Sequence, residues 1–405
     1  MIYKVTNSLF SFPTEEVIEG SIKLTVPKLE LYSKGISEYI PSKAPVFYNP
    51  RMELNRDFAV LALKVFRKRG NFLLNVCDPL AGCGVRGIRF AREVNGIKSV
   101  LLNDMSSKAA ALARFNAEKN ALPVKVVVEN MDARVLLCSY VPHLRFDVID
   151  LDPYGSPSRF LDFALFALKN SGLLALTATD TAPLCGVNPK ACMRKYFGRS
   201  LRTEYCHELG VRLLISSVAI SAARYNRGTR VLFSHSSDHY IRVYLQIQQG
   251  VKRADESRGK IGYILHCFNC LHRTWLYNLT SFSKTNCEIC GHKMKLAGPL
   301  WLGKLIDSDF CEEIYEQANE TFSEGKKRLF KLLITLLQEA DFPPTYFSVD
   351  KVCEKLKVSS TSLDRIIDNL VKMGYDATRT HFNPQGIKSN ASISELYCAI
   401  KELNI

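Results

Sequence analysis

The sequence predicts an α/β fold: a parallel sheet wrapped by helices on both faces, followed by a smaller α+β region. Three observations carry this expectation. Between residues 72 and 247, short apolar runs alternate with segments of helical periodicity, the rhythm of βαβ units. The glycines Gly82-x-Gly84-x-x-Gly87 stand between the first such run and the first such helix. After residue 250 the alternation gives way to two Cys-x-x-Cys pairs and then to a helix-rich stretch.

Taken in order, "EEVIEGSIKLTVP" (15–27) alternates like a short strand pair, and "PSKAPVFYNP" (41–50) is a proline-punctuated loop. Apolar residues recur at helical spacing from Met52 to Arg69. Strands are expected at 72–78, 99–104, 124–130, 146–152 and 173–180. Of the helices between them, one begins at Val85, one near Ser106 or Ser107 as the cap, a short one follows the strand at 124–130, and one begins at Arg159 and runs through Gly172. A long helix, "HELGVRLLISSVAISAARY", and two further strands ending near Ile247 close the block. "QQGVKRADESRGK" (248–260) is polar and reads as a linker, which gives a first domain over 1–250 and a second over 251–405. Within the second, residues 261–300 hold the cysteine pairs. Residues 310–405 read as helices, a helix-turn-helix with its turn at Val358–Thr361, and an extended basic tail, a winged-helix-like module.

Of 405 residues, 47% are hydrophobic and 23% charged, the proportions of a globular protein with a real core. The net charge of +14 favours a polyanionic partner, nucleic acid first. Nine of the 13 cysteines stand singly, and the N-terminal stretch lacks a signal peptide's apolar centre. Both argue against a secreted disulfide scaffold and for a reducing, cytoplasmic setting. Apolar runs such as Leu213–Ala223 are broken by serines and too short to span a bilayer, so no membrane role is expected, and no obligate protein partner is evident.

The glycine loop lets backbone approach a bound nucleotide and turn into a helix N-terminus. By itself it suits S-adenosylmethionine, a nicotinamide dinucleotide, or a tight turn with no ligand. Three carboxylates narrow the choice. Asp78 ends the first strand. Asp104 ends the second, where a carboxylate can accept from both ribose hydroxyls. Asp132 follows the third, where it can meet an adenine amine beside the Ala133 N–H. A ligand lying across these three strand ends is adenosine-like.

The fourth strand ends in "VIDLDPYGSP" (148–157). Asp152 can accept N–H bonds from an exocyclic amine. Pro153 fixes the backbone and lacks an N–H. Tyr154 offers a face for a planar base. Together they can hold a nucleobase amine in line with a methyl sulfonium. A base paired inside a helix is out of reach, so the target must be exposed or turned out.

These residues lie in blocks that resemble the tRNA (guanine-26-N2)-dimethyltransferase family in its archaeal form. The blocks include "PVFYNPRMELNRD" (45–57), "GVRGIRFA" (84–91), "FDVIDLDPYGSPSRFLDFAL" (146–165), "LTATDTAPLCGVNPKACMRKY" (176–196) and "GYDATRTHFNPQGIKSNA" (374–391). The resemblance implies a class I S-adenosylmethionine-dependent methyltransferase domain with a Rossmann-like seven-stranded sheet, and a family-specific C-terminal domain that binds tRNA. It implies that Arg56, Arg86, Asp104, Asp132 and Ala133 contact S-adenosylmethionine; the glycine loop and the strand ends themselves add Asp78, Gly82 and Gly84 as cofactor-binding candidates. It also implies that Asp152 anchors the guanine between Phe47 and Tyr154, where the family's motif more often carries Phe in place of this tyrosine. The expected reaction is direct methyl transfer, made twice, to the N2 of one guanosine, through the monomethyl product.

Cys267-x-x-Cys270 and Cys287-x-x-Cys290 have the spacing of a four-thiolate zinc site. A closed thiolate shell has no open position, so the metal's expected role is structural. Three basic, aromatic-bearing stretches, "GKKRLFK", "RKYFGRSLR" and "ATRTHFNPQGIK", are suited to phosphates. Two rival readings remain. An adenine-N6 methyltransferase shares the acid–proline–aromatic logic but carries two prolines where this chain has Pro153-Tyr154. A non-enzymatic zinc and winged-helix regulator leaves the glycine loop and the three carboxylates unexplained.

Overall fold

The computed structural model describes residues 10–34, 38–70, 72–141, 144–278, 286–322 and 325–403. The N-terminal stretch before residue 10, read above for a signal peptide, lies outside the described residues. Contacts divide the chain into two compact units, residues 1–152 with 162–176, and residues 153–161 with 177–405.

The first unit opens with a hairpin, β1 (Thr14–Glu19) and β2 (Ile22–Pro27), turned at Gly20. A two-residue pair, β3 (Ser33–Lys34) and β4 (Glu38–Tyr39), precedes helix α1 (Glu53–Gly70). The βα rhythm then runs as the sequence suggests: β5 (Leu74–Asp78), α2 (Val85–Glu93), β6 (Ile97–Asn103), α3 (Ser107–Lys119), β7 (Lys125–Glu129), α4 (Ala133–Ser139) and β8 (Phe146–Leu151). Ser106 caps α3, its side chain accepting from the Ala109 N–H. β5 pairs in parallel with β6 on one side and β8 on the other, and β6 pairs with β7. Every residue of β5 and β8 is buried, as a strand covered on both faces requires.

One helix is shorter than expected. α5 (Leu161–Ala167) does not continue through Gly172, and β9 (Leu168–Ala178) begins at once. Phe146 pairs with Leu168 but Val148 pairs with Leu173, so four residues bulge between two in-register pairs. Asn170, Ser171 and Gly172 are weak helix formers, and Lys169 is held by Asp147 at 2.8 Å. Pairing to β8 therefore outweighs the helical periodicity.

The second unit begins with α6 (Thr181–Leu184), α7 (Pro189–Tyr196) and α8 (Cys206–Ala223), then the antiparallel hairpin β10 (Arg227–Ser237) and β11 (Tyr240–Gln249). The strand order of the central seven-stranded sheet is β10-β11-β9-β8-β5-β6-β7, a mixed sheet. α8 is long and apolar enough to cross a membrane by length and composition, yet 78% of it is buried within the protein, as in a core helix.

The expected linker is a helix, α9 (Val251–Arg258). Two of its residues are buried, and one of them decides its place: the Ser257 hydroxyl accepts from the Thr229 N–H at 2.7 Å. Gly228 lies against it so closely that a Cβ there would meet the Arg253 carbonyl at 2.5 Å. Its polar residues are simply the solvated face.

Strands β12 (Ile261–His266), β13 (Arg273–Leu276) and β14 (Lys295–Trp301) form a small sheet around the cysteine pairs. Helices α10 (Ser308–Thr321) and α11 (Lys327–Glu339) follow. The chain ends with β15 (Phe347–Ser348), α12 (Val349–Leu356), α13 (Leu363–Lys372), β16 (Ala377–Thr380), β17 (Asn383–Ser389) and α14 (Ile393–Glu402). α12 and α13 are the helix-turn-helix, and the expected basic tail is the β16–β17 hairpin of a winged-helix arrangement.

Candidate active site

The turn between β5 and α2 depends on its glycines. Gly82 and Gly84 have φ of +56° and +84°, a region that side chains with a Cβ rarely adopt. A Cβ on Gly82 would stand 3.0 Å from the Phe47 carbonyl oxygen, so the loop before α1 is packed directly on the glycine turn. This places Phe47, 42% exposed, where periodicity alone could not. Asn116 ties the turn to the N-terminal hairpin, donating to the Cys83 carbonyl and exchanging bonds with Thr25.

The strand-end carboxylates fall into two kinds. Asp104 is half-buried at the end of β6 and accepts from the Gly82 N–H at 3.0 Å and the Ser106 N–H at 2.9 Å. It thus braces the turn it faces. Asn103 beside it bonds the Pro79 and Met131 carbonyls, joining the ends of β5 and β7. Asp132 is the N-cap of α4 and also grips the Arg134 side chain. That cation, with the backbone N–H of Arg134, holds the carboxyl down to about 2. Ala133 is buried behind it.

Asp78 is different. It is 2% exposed, and burial followed by the nearby Asp150 carboxylate pushes its carboxyl up to about 8, with Arg86 pulling the other way. Three acids, Asp78, Asp150 and Asp152, share the field of the buried Arg86. The Arg86 Nη2 donates to Asp152 Oδ2 and, at 2.8 Å, to the Asn55 amide oxygen, while its Nε lies 3.6 Å from Asp150. Asp152 itself is partly exposed, with 23% of its side chain accessible.

Arg56 has another set of partners. Its Nε and Nη2 lie 2.5 and 2.6 Å from the two oxygens of Glu19, and Nη2 also meets the Asn49 carbonyl. Glu19 receives Arg89 and the Tyr48 hydroxyl as well. Despite its burial, Arg56 and Arg89 hold its carboxyl low. The residue implied as a cofactor contact thus fastens the hairpin to α1 and α2.

Pro153 and Tyr154 belong to the second unit. Pro153 is buried, and Tyr154 is 75% exposed. Gly155, at φ +99°, bonds Thr179 twice, through its N–H and its carbonyl. Ser156 donates to the Tyr196 hydroxyl, which donates on to Asp180. Thr179, Asp180 and Tyr196 lie in the block "LTATDTAPLCGVNPKACMRKY", but spacing gave none of them this role.

The four cysteines come together. All four sulfurs lie within 4.8 Å of one another, with Cys267–Cys290 and Cys270–Cys287 each at 3.4 Å. Tetrahedral zinc with bonds of about 2.3 Å calls for sulfur separations of about 3.8 Å. Each pair forms the same knuckle: the Cys267 and Cys287 N–H groups bond the His272 and His292 carbonyls, and Leu271 and Gly291 take positive φ.

A family model described as N2,N2-dimethylguanosine tRNA methyltransferase matches residues 20–401. The tRNA (guanine(26)-N(2))-dimethyltransferase of Methanobrevibacter smithii is 39% identical over 97% of this chain and 98% of its own length. The enzyme of the same name from Methanothermobacter thermautotrophicus is 42% identical, over 94% of this chain and 97% of its own. Among solved structures, the Trm1 of Pyrococcus horikoshii in complex with S-adenosyl-L-methionine is similar at a TM-score of 0.83. It is 34% identical and covers 95% of this chain and 99% of that one.

Proposed function

The chain belongs to the N2,N2-dimethylguanosine tRNA methyltransferase family, and from that membership we propose how its residues divide the work. The enzyme is a class I methyltransferase that uses S-adenosyl-L-methionine to methylate the N2 amine of guanosine 26 in tRNA twice, giving N2,N2-dimethylguanosine. We place this activity in the cytoplasm.

The residues at the ends of β5, β6 and β7 suit the cofactor. Gly82 and Gly84 open the backbone at the N-terminus of α2. Asp104, already bonded to Gly82, has lone pairs left for two ribose hydroxyls. Asp78, Arg86, Asp132 and Ala133 line the neighbouring strand ends, and Arg56 supports them through Glu19. When bound, S-adenosyl-L-methionine supplies an electrophilic methyl group on a positive sulfur.

The observation that carries the proposal is the Arg86–Asp152 ion pair at the end of β8. The guanine amine is a poor nucleophile because its lone pair is delocalised into the ring. Asp152 accepts its N–H, returns electron density to the nitrogen and fixes its approach. The charge-assisted bond from Arg86 aims the Asp152 side chain. The family resemblance assigns Phe47 and Tyr154 to stacking on the base, and each ring is exposed. The proton lost at each methylation passes to Asp152.

Zinc held by Cys267, Cys270, Cys287 and Cys290 fixes the small sheet β12–β14. Exposed cations early in α11, among them Lys327, Arg328 and Lys331, suit tRNA phosphates.

The test is digestion and mass spectrometry of tRNA incubated with labelled cofactor. Asp152→Ala is expected to reduce both methylated guanosines by about 10²-fold or more, the usual scale for losing a positioned acid–base group. Wild-type yields of dimethylguanosine would refute the assigned role.

A further inference from the structure

The pair at Asp152 does not stand alone. Arg86 Nη2 has two hydrogens, one directed at Asp152 Oδ2 and the other at Asn55 Oδ1, 2.8 Å away. Arginine has only donors, so the amide must turn its oxygen to Arg86. Asn55 is fully buried, and its Nδ2 has no hydrogen-bond partner among the described residues. Its carbonyl is therefore the end in use, and the side chain is not completing a donor network.

Its placement is rigid. Asn55 lies in the first turn of α1, one residue before Arg56. Arg56 is locked to Glu19 and to the Asn49 carbonyl, and Asn49 itself caps the turn that leads into the helix. Adjacent helical residues point about 100° apart, so with Arg56 fixed toward the hairpin, Asn55 projects onto α2 and Arg86.

We propose that Asn55 is a positioning residue for methyl transfer: by holding one Nη2 hydrogen of Arg86, it directs the other to the catalytic carboxylate of Asp152. The alternative partners explain why a holder is needed. Arg86 lies among three acids, and two of them, Asp78 and Asp150, are more deeply buried than Asp152. Without the amide, one restraint on the guanidinium is gone, and Asp150, whose oxygen lies 3.6 Å from Nε, competes with Asp152 for it. The bond to Asp152 is then less well directed. Among the described residues, charged groups that face the Arg86–Asp152 pair include Asp150 on β8 and Asp78 on β5.

The inference rests on the reading of Asp152 as the substrate-facing acid, so Asp152→Ala is measured alongside. Asn55→Leu, near in size but without an acceptor, is expected to lower kcat about 10-fold or more, with KM for S-adenosyl-L-methionine changed less than about 3-fold. The acid limb of its kcat profile is expected to move up by about one pH unit, since the opposite charge beside Asp152 is less well directed. Asn55→Asp keeps an acceptor in the same place and is expected to recover much of the lost kcat. In an Arg86→Ala background, Asn55→Leu is expected to add little, because the two act as one unit.

Wild-type kcat and pH profile in a folded Asn55→Leu overturn the inference. So does equal loss in both Asn55 variants with the acid limb unmoved, which marks a packing role. If Asn55→Leu does not fold, Asn55→Ala, smaller and equally without an acceptor, replaces it in every arm. An active Asp152→Ala sinks the underlying reading, whereas an inactive Asp152→Ala beside a fully active Asn55→Leu sinks the positioning role alone.

Discussion

Asp78 shows what a single side chain costs this fold. Burial and the Asp150 carboxylate push its carboxyl up to about 8. Below about pH 4, the range where an exposed aspartate titrates, it is protonated in folded and unfolded chains alike. Between there and about pH 8 the unfolded chain releases the proton and the folded chain keeps it. Stability from this group is therefore present at low pH and lost as pH rises through that window. Urea midpoints measured from pH 5 to 8 should fall more steeply for the wild type than for Asp78→Asn, and equal slopes would remove Asp78 as the source. At this scale the sequence was informative about position. Asp78, Asp104 and Asp152 were found because they end strands. Their partners were not legible, since Arg86 lies 66 residues from Asp152 and nothing in either segment marks the other.

At the scale of elements, the βαβ periodicity placed nearly every strand of the first unit to within a few residues. Gly87 shows why one such unit packs. A Cβ there would stand 2.1 Å from Leu102 Cδ2 and 3.1 Å from Val100 Cγ1, so α2 lies on β6 at a distance only glycine permits. Gly87→Ala is expected to destabilise by about 1–3 kcal/mol, the usual cost of overpacking. Thermal melts should show the double variant Gly87→Ala/Leu102→Ala less destabilised than the sum of its singles. Strictly additive losses would mean that the contact is not the cause. The two misread elements share a reason. α9 has a polar exposed face, and what places it is its contact with β10, where Ser257 meets Thr229 and the Arg253 backbone lies against Gly228. The first residues of β9 carry helical periodicity but are claimed by β8.

For the molecule as a whole, the four-cysteine cluster and the C-terminal module are joined within the second unit. Leu271, inside the first cysteine knuckle, belongs to the core that holds Val349, Ile366 and Leu396, and Tyr397 donates to the Cys270 carbonyl at 2.8 Å. Metal analysis should give about one zinc per chain. Chelation should lower the melting temperature and speed hydrogen exchange in α14 as well as in β12–β14. Exchange changes confined to the knuckles would show that the site is local, and a metal-free protein of unchanged stability would remove the structural role. Deep in the same unit, Glu208 is buried, which raises a carboxyl, yet Lys388 and Arg212 hold it to about 2.

What the sequence by itself determined is whatever depends on near neighbours: the βα rhythm, the glycines that need positive φ, the acids at strand ends and the four thiols at knuckle spacing. The tertiary structure alone decided which cation meets which acid. Those pairings depend on distances between residues far apart in the chain, and the sequence leaves such distances unset until the sheet and its covering helices have packed.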